Sequence, residues 1–248
     1  MATRGMAQKH PGTSPDDQRA IASLALRHAT AVEHHLAGRH ETALPLLGQV
    51  LLGCRAVLGK HHPDTLTVEG NVAVACLQAG HVDEGLTALG EACEARDHVF
   101  GPDDPRTLTA LAALAAAHLL VGQAAEAIRL GEKVARARER VLGATHPDTL
   151  AGRLGLGLAY AEVGAVPQAT ALVSAALDDA EVALGSRHQL TIRIRAALAC
   201  CRALSGDLRA ATVGYDRAIE DSTASLGADD SETVALREER DELGVPPD

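Results

Sequence analysis

Aromatic side chains are almost absent from this chain of 248 residues, which has one Phe, two Tyr and no Trp. A stable core must therefore be built from many small aliphatic contacts, each of which contributes little. Such side chains are plentiful, because hydrophobic residues make up 46% of the chain. The composition thus predicts a folded domain whose helices or strands pack through aliphatic rather than aromatic residues.

Three kinds of segment are also missing. No apolar stretch is long enough to span a membrane, and no apolar signal core follows the first five residues, so we expect a cytoplasmic protein. The net charge is −10 and there is no basic run, which argues against nucleic acid or an anionic membrane as the partner. The five cysteines are odd in number and lack metal-ligand spacing, so we expect buried, reduced thiols.

Familiar catalytic motifs are missing as well. There is no nucleophile elbow, Walker loop or paired-cysteine motif, and no strand precedes the glycines between Gly152 and Gly157. Twelve histidines are present, but no two have the i, i+4 spacing of a helical metal site. The sequence therefore predicts no bound metal and no cofactor.

Glycine, in contrast, recurs with a fixed period of 42 residues. One set follows Leu or Phe each time, and a second set lies between its members. The first set is Gly59, Gly101, Gly143, Gly185 and Gly227, and the second is Gly38, Gly80, Gly122, Gly164 and Gly206. Self-similarity of this kind indicates a stack of one repeated unit, whose usual role is to present a surface.

Each unit has the pattern of two helices. Pro63, Pro105 and Pro147 suit a first helical turn, where the missing N–H would be unpaired anyway. The first helix should run about sixteen residues to a glycine of the second set, and the second helix should be longer and end at the Leu-Gly or Phe-Gly pair. Small residues such as Ala127 and Ala169 let the two helices approach closely, and such hairpins must stack to bury their apolar faces.

These residues resemble a known family. The segment Gly122 to Ala127 is similar to the tetratricopeptide repeat signature, and Tyr160 and Tyr215 match two of its aromatic positions. The 42-residue period and the string Leu-Gly-x-x-His-Pro-Asp-Thr-Leu, which ends at Leu150, resemble the kinesin light chain variety, common in bacterial repeat proteins. The resemblance implies an all-α fold: a right-handed superhelix, or α-solenoid, of about five antiparallel helix hairpins plus a C-terminal capping helix.

The predicted domain organisation follows the period. We expect a disordered tail over 1–13, one repeat domain over 14–243 and a short tail over 244–248. Ser14 starts the first helix six residues earlier than the register requires, and the acidic segment from Asp229 to Glu242 forms the cap. The predicted repeats are about 14–58, 59–100, 101–142, 143–184 and 185–226, with the cap over 227–243.

In the resembled family, one face of each first helix lines a concave groove. Transferred by register, that face is unusually apolar here, since Val74 and Ala116 stand where members that clamp carboxylates carry asparagine. The predicted binding residues are Val32, Val74, Leu77, Gln78, Ala112, Ala116, Leu119, Leu120, Leu154, Leu158, Glu162, Arg193 and Cys200. Exposed apolar surface usually marks a binding site or an oligomer contact.

Three functions remain open from the sequence. The resemblance favours a scaffold or protein-interaction module that binds an apolar or amphipathic peptide segment in the groove. The alternative is a sensor or accessory protein of a bacterial pathway that holds a small apolar molecule in the same groove. An enzyme would use His28, His35, Glu162 or Arg193 as acid–base or electrostatic groups. A homodimer that covers the apolar face is a further alternative.

Overall fold

The computed structural model describes residues 14–244, and this range forms eleven α-helices and no strand. The predicted tails, 1–13 and 244–248, lie outside the described residues except for Gly244. The helix bounds are α1 Pro15–Leu36, α2 His40–Val57, α3 Pro63–Gln78, α4 Val82–Phe100, α5 Pro105–Leu120, α6 Ala124–Leu142, α7 Pro147–Glu162, α8 Val166–Leu184, α9 Gln189–Leu204, α10 Leu208–Leu226 and α11 Ser231–Glu242.

Helix ends follow the local chemistry of proline, histidine and glycine. Helices α3, α5 and α7 begin at the three periodic prolines, as predicted. Before α3, Nδ1 of His62 accepts a hydrogen bond from the N–H of Asp64 at 3.2 Å, which satisfies one of the free donors of the first turn. After α4, Gly101 has a φ of 90°, a conformation that favours glycine. These signals recur with the 42-residue period, so equivalent helices such as α3, α5 and α7 begin and end at equivalent positions of their repeats.

The first and last helices depart from the sixteen-residue length of α3. Helix α1 has 22 residues and begins with a capping box, in which Ser14 and Asp17 bond each other's backbone N–H groups. Helix α11 has 12 residues and forms over the acidic C-terminal segment. The greater length of α1 was predicted from the early Ser14, and a single helix over the last segment was predicted from its charge.

The chain divides into two compact units, one up to Ala117 and one from His118 onward. In the first unit α1 packs on α2 and α3 on α4, and in the second α7 packs on α8 and α9 on α10. Ala43, Ala169 and Ala211 are fully buried within these hairpins, where a larger side chain would separate the helices. The predicted all-α fold of helix hairpins with a C-terminal capping helix is confirmed.

Ion pairs tie neighbouring helices of the second unit together. Arg195 of α9 donates to Glu181 of α8 at 2.7 Å and to Asp221 of α10 at 2.9 Å, and both Arg195 and Asp221 are buried. Arg153, one period earlier, pairs with α6 and α8 in the same way. Because a buried charge is costly without its partner, these pairs hold the helices in one register.

The described helices can also be compared with the requirements of a membrane-spanning helix. Between residues 14 and 244, no helix combines the length and the apolarity needed to cross a bilayer.

Candidate functional site

A cleft of about 640 Å³ lies in the second unit, and helices α7, α9, α10 and α11 surround it. We call it the C-terminal cleft. Its apolar lining includes Leu154, Leu158, Ala196, Ala197, Leu204 and Leu236. Its polar lining includes Arg193, Cys200, Tyr215, Glu232, Glu239 and Glu242.

The repeat places these side chains together. Leu158 of α7 and Cys200 of α9 occupy the same register position, one period apart, so they follow one another along the cleft. Leu158 remains 40% exposed and Leu204 56% exposed, while Leu154 and Leu236 are buried beneath them. The cleft therefore has a buried aliphatic floor and leucine side chains that remain open to solvent.

Four of the predicted binding residues line this cleft, namely Leu154, Leu158, Arg193 and Cys200. Glu162 is exposed and does not line it. Leu119 and Leu120, which also belong to the second unit, lie outside its lining, and Leu120 is 88% exposed. The assignment of these three residues to a binding surface stays a prediction.

The remaining predicted residues belong to the first unit. Val74 and Leu77 are half-buried and pack against a cluster that contains Ala73, Leu89 and Ala117. Val32 and Ala112 are half-buried as well, whereas Gln78 and Ala116 are exposed. Their role in binding also stays a prediction.

A second cleft, of about 410 Å³, lies in the first unit between α2, α3 and α4. Arg55 and Glu69 pair in its wall at 2.8 Å, and Lys60, His61 and Glu91 add further polar groups. Its large aliphatic side chains are only Leu51 and Val72, whereas five leucines line the C-terminal cleft. The C-terminal cleft is therefore the better candidate.

The residues proposed for an enzyme lie in both units, His28 and His35 in the first and Glu162 and Arg193 in the second. His28 is buried, and its Nε2 lies 2.8 Å from Nδ2 of Asn71. Burial lowers the pKa of His28, and burial followed by the neighbouring His40 lowers the pKa of His35. Arg193 lines the C-terminal cleft without Glu162. Among residues 14–244, no cluster of three or more His, Cys, Asp or Glu side chains could hold a metal ion.

Tyr215, Cys200 and Glu239 form the polar corner of the C-terminal cleft. Burial, followed by the negative charge of Glu239, raises the pKa of the Tyr215 hydroxyl. The same two causes raise the pKa of the Cys200 thiol. Both groups therefore stay neutral near pH 7, and Cys200 is a weak nucleophile although it is exposed. This corner can hydrogen-bond a ligand, but it lacks an activated nucleophile.

The comparisons with known proteins agree with the fold of helix hairpins. The tetratricopeptide repeat family model matches residues 21–97 and 71–140. Together with the confirmed hairpin fold, this decides the family. The chain is a tetratricopeptide repeat protein. No curated protein is detectably similar to it in sequence.

Solved structures of other proteins show the same fold. A kinesin light chain-like repeat protein from Podospora anserina superposes with a TM-score of 0.73 at 24% identity, over 86% of this chain and 99% of that one. BtubC from P. vanneervenii gives 0.68 at 14% identity, over 86% and 94%. MamA from Desulfovibrio magneticus gives 0.56 at 16% identity, over 82% and 97%. The kinesin light chain-like character predicted from the 42-residue period is thus confirmed for the fold.

This tetratricopeptide repeat protein also has cleft residues that sequence reasoning missed. Glu239 and Glu242 of α11 stand one period after Ala197 and Cys200 of α9. The register that located Cys200 would have located Glu242 if it had been continued one period further. The sequence favoured a charged cap for this acidic segment, and the predicted binding residues therefore ended at Cys200. The fold is that of a protein-interaction module, and α11 completes its candidate surface.

Proposed function

We propose that this chain binds an apolar or amphipathic segment of a partner protein in the C-terminal cleft. The observation that carries the proposal is the pair of exposed leucines, Leu158 and Leu204, above a buried aliphatic floor. Burial of apolar surface yields about 25 cal/mol per Å², so two leucines on an open cleft favour a partner that covers them.

The small residues of the cleft support a polypeptide as the ligand. Ala196, Ala197, Ala203 and Ala235 lie in its lining, and their short side chains let the main chain of a partner approach closely. Leu158 and Leu204 of the lining are exposed to solvent, so a segment of a larger protein can reach them without unfolding the repeats. Tetratricopeptide repeat proteins serve protein–protein interaction, which supports the same choice at the level of the fold.

Site-directed crosslinking tests the proposal. A photoreactive maleimide is attached to Cys200 in a Cys76→Ser background, because the other three cysteines are buried. After irradiation in extract of the native host, we expect crosslinks to one segment with apolar residues at i, i+3 and i+4 spacing. Leu158→Arg should abolish these crosslinks, since it places a charge on the aliphatic surface.

Val182→Arg is the matched control. Val182 is 87% exposed on α8 in the same unit, and it lies outside the cleft lining. This variant should crosslink like the parent. Crosslinks that survive Leu158→Arg, or that join only a small molecule, would contradict the proposed function.

A further inference from the structure

The charges around the C-terminal cleft are unbalanced. Glu239 and Glu242 form no ion pair with any residue between 14 and 244, and Arg193 is the one cation in the cleft lining that the structure describes. Glu232 accepts a hydrogen bond from the Gln189 amide at 2.7 Å, which leaves its negative charge in place. The α11 side of the cleft is therefore negative.

The arginines of α11 do not neutralise this side. Arg240 pairs with Asp216 of α10 at 3.2 Å, and Arg237 donates to the carbonyl oxygen of Ala228 at 2.8 Å. Neither arginine lines the cleft. The helix thus directs its cations toward α10 and the preceding turn, and directs two carboxylates toward the cleft.

The two glutamates that face the cleft are not needed to keep α11 solvated. Glu238 and Asp241 are exposed on α11 outside the cleft lining, and they already give the helix a charged surface. At the two positions of Glu239 and Glu242, α9 carries Ala197 and Cys200, and α7 carries Gly155 and Leu158. The glutamates therefore replace small or apolar groups on the binding face itself.

The walls of the cleft also restrict the conformation of the ligand. All of its lining residues but Leu243 lie in helices, whose interior backbone N–H and C=O groups are already paired with one another. An extended peptide on this aliphatic floor would bury its own backbone groups without partners, which costs free energy. A helix satisfies its backbone internally and can present a row of apolar side chains.

We propose that the C-terminal cleft selects an amphipathic helix whose apolar face is flanked by lysine or arginine on the side that meets α11. The inference rests on the proposed function, since it specifies the partner of the same cleft. The apolar face covers Leu158 and Leu204, and the cations of the ligand lie beside Glu239 and Glu242.

Two designed helical peptides test this inference. They share one leucine face and a single Trp, and they carry either lysine or glutamate at the flanking positions. Because the protein has no Trp, the fluorescence of the peptide reports binding without background. We expect the lysine peptide to bind roughly tenfold more tightly at low salt, and the difference to shrink as salt screens the charges.

A pair of double variants locates the effect. Glu239→Gln with Glu242→Gln should reduce the preference for lysine to about twofold. Glu238→Gln with Asp241→Asn removes the same charge from the same helix outside the cleft and should keep the preference. Equal binding of the two peptides, an equal effect of both double variants, or binding of neither peptide would overturn the inference. Equal binding would leave the proposed function standing, because that function is contradicted only by Cys200 crosslinks that survive Leu158→Arg or that join only a small molecule.

Discussion

The sequence offered His28 as an acid–base group of a possible enzyme, and the structure places its side chain in a buried position. His28, Leu154 and Ala196 are separated by whole periods, and all three are buried. The side chain at this position is therefore covered by neighbouring helices, and in α7 and α9 it contributes to the floor of the C-terminal cleft. In the first unit the histidine is accommodated by the amide of Asn71, because a buried polar ring needs a hydrogen-bond partner.

His28 makes the stability of the protein sensitive to acid. Its folded pKa lies below that of an unfolded histidine, about 6.5, so the unfolded state binds the proton more readily. The stabilising contribution of neutral His28 is complete above about pH 6.5 and is lost as the pH falls through the lower folded pKa.

Urea unfolding at about pH 7.5 and about pH 5 measures this effect. We expect His28→Gln, which keeps an acceptor for Asn71, to lose less stability on acidification than the parent. His35 retains a lowered pKa in the variant, so part of the acid sensitivity should remain. An unchanged loss in the variant would contradict this account of His28.

At the scale of the helix, start and stop points were predictable because they depend on neighbours in sequence. Proline, the residue before it and the closing glycine fix each boundary through backbone geometry and capping. The contents of the cleft were less predictable. Leu158 and Cys200 followed from register, whereas Glu239 and Glu242 were assigned to the cap by their charge and the register was not continued into α11.

The order in which the helix hairpins stack also depends on pairs of residues that lie on neighbouring helices. Arg55 of α2 pairs with Glu69 of α3, whereas at the same two register positions Glu139 of α6 pairs with Arg153 of α7. The charges are thus reversed between the two units. A hairpin placed at the wrong position would bring like charges together, so the reversal favours one order of repeats.

Helix α7 offers an element-scale prediction, because two of its three glycines, Gly155 and Gly157, differ in surroundings. A methyl group at Gly155 would meet nothing within 4 Å, but at Gly157 it would lie 2.3 Å from Cγ2 of Val173. We expect Gly155→Ala to raise the free energy of unfolding by about 1 kcal/mol through helix propensity. Gly157→Ala should lower it by roughly 1–3 kcal/mol through overpacking.

Chemical unfolding followed by circular dichroism distinguishes the two variants. Each serves as the control for the other, because the same methyl group is added to the same helix. A similar change in both variants would show that packing against Val173 does not set the requirement for glycine at 157.

At the scale of the whole molecule, the repeated unit brings equivalent side chains of successive helices to one surface. Every residue that lines the C-terminal cleft belongs to the second unit, from Leu154 to Leu243. The aliphatic composition that leaves few aromatic side chains for the core also leaves leucine and alanine on this face. The central claim is therefore that this one cleft is where a partner protein binds.

Protection of Cys200 from alkylation tests that claim most directly. The crosslinked segment is added as a synthetic peptide at about ten times its Kd, and alkylation of Cys200 and Cys76 is followed by mass spectrometry. We predict that Cys200 reacts about tenfold more slowly, because only the unoccupied fraction exposes its thiol. Cys76, which is half-buried in the first unit, should react at an unchanged rate. Equal rates at Cys200 with and without bound peptide would contradict the assignment of the cleft as the binding site.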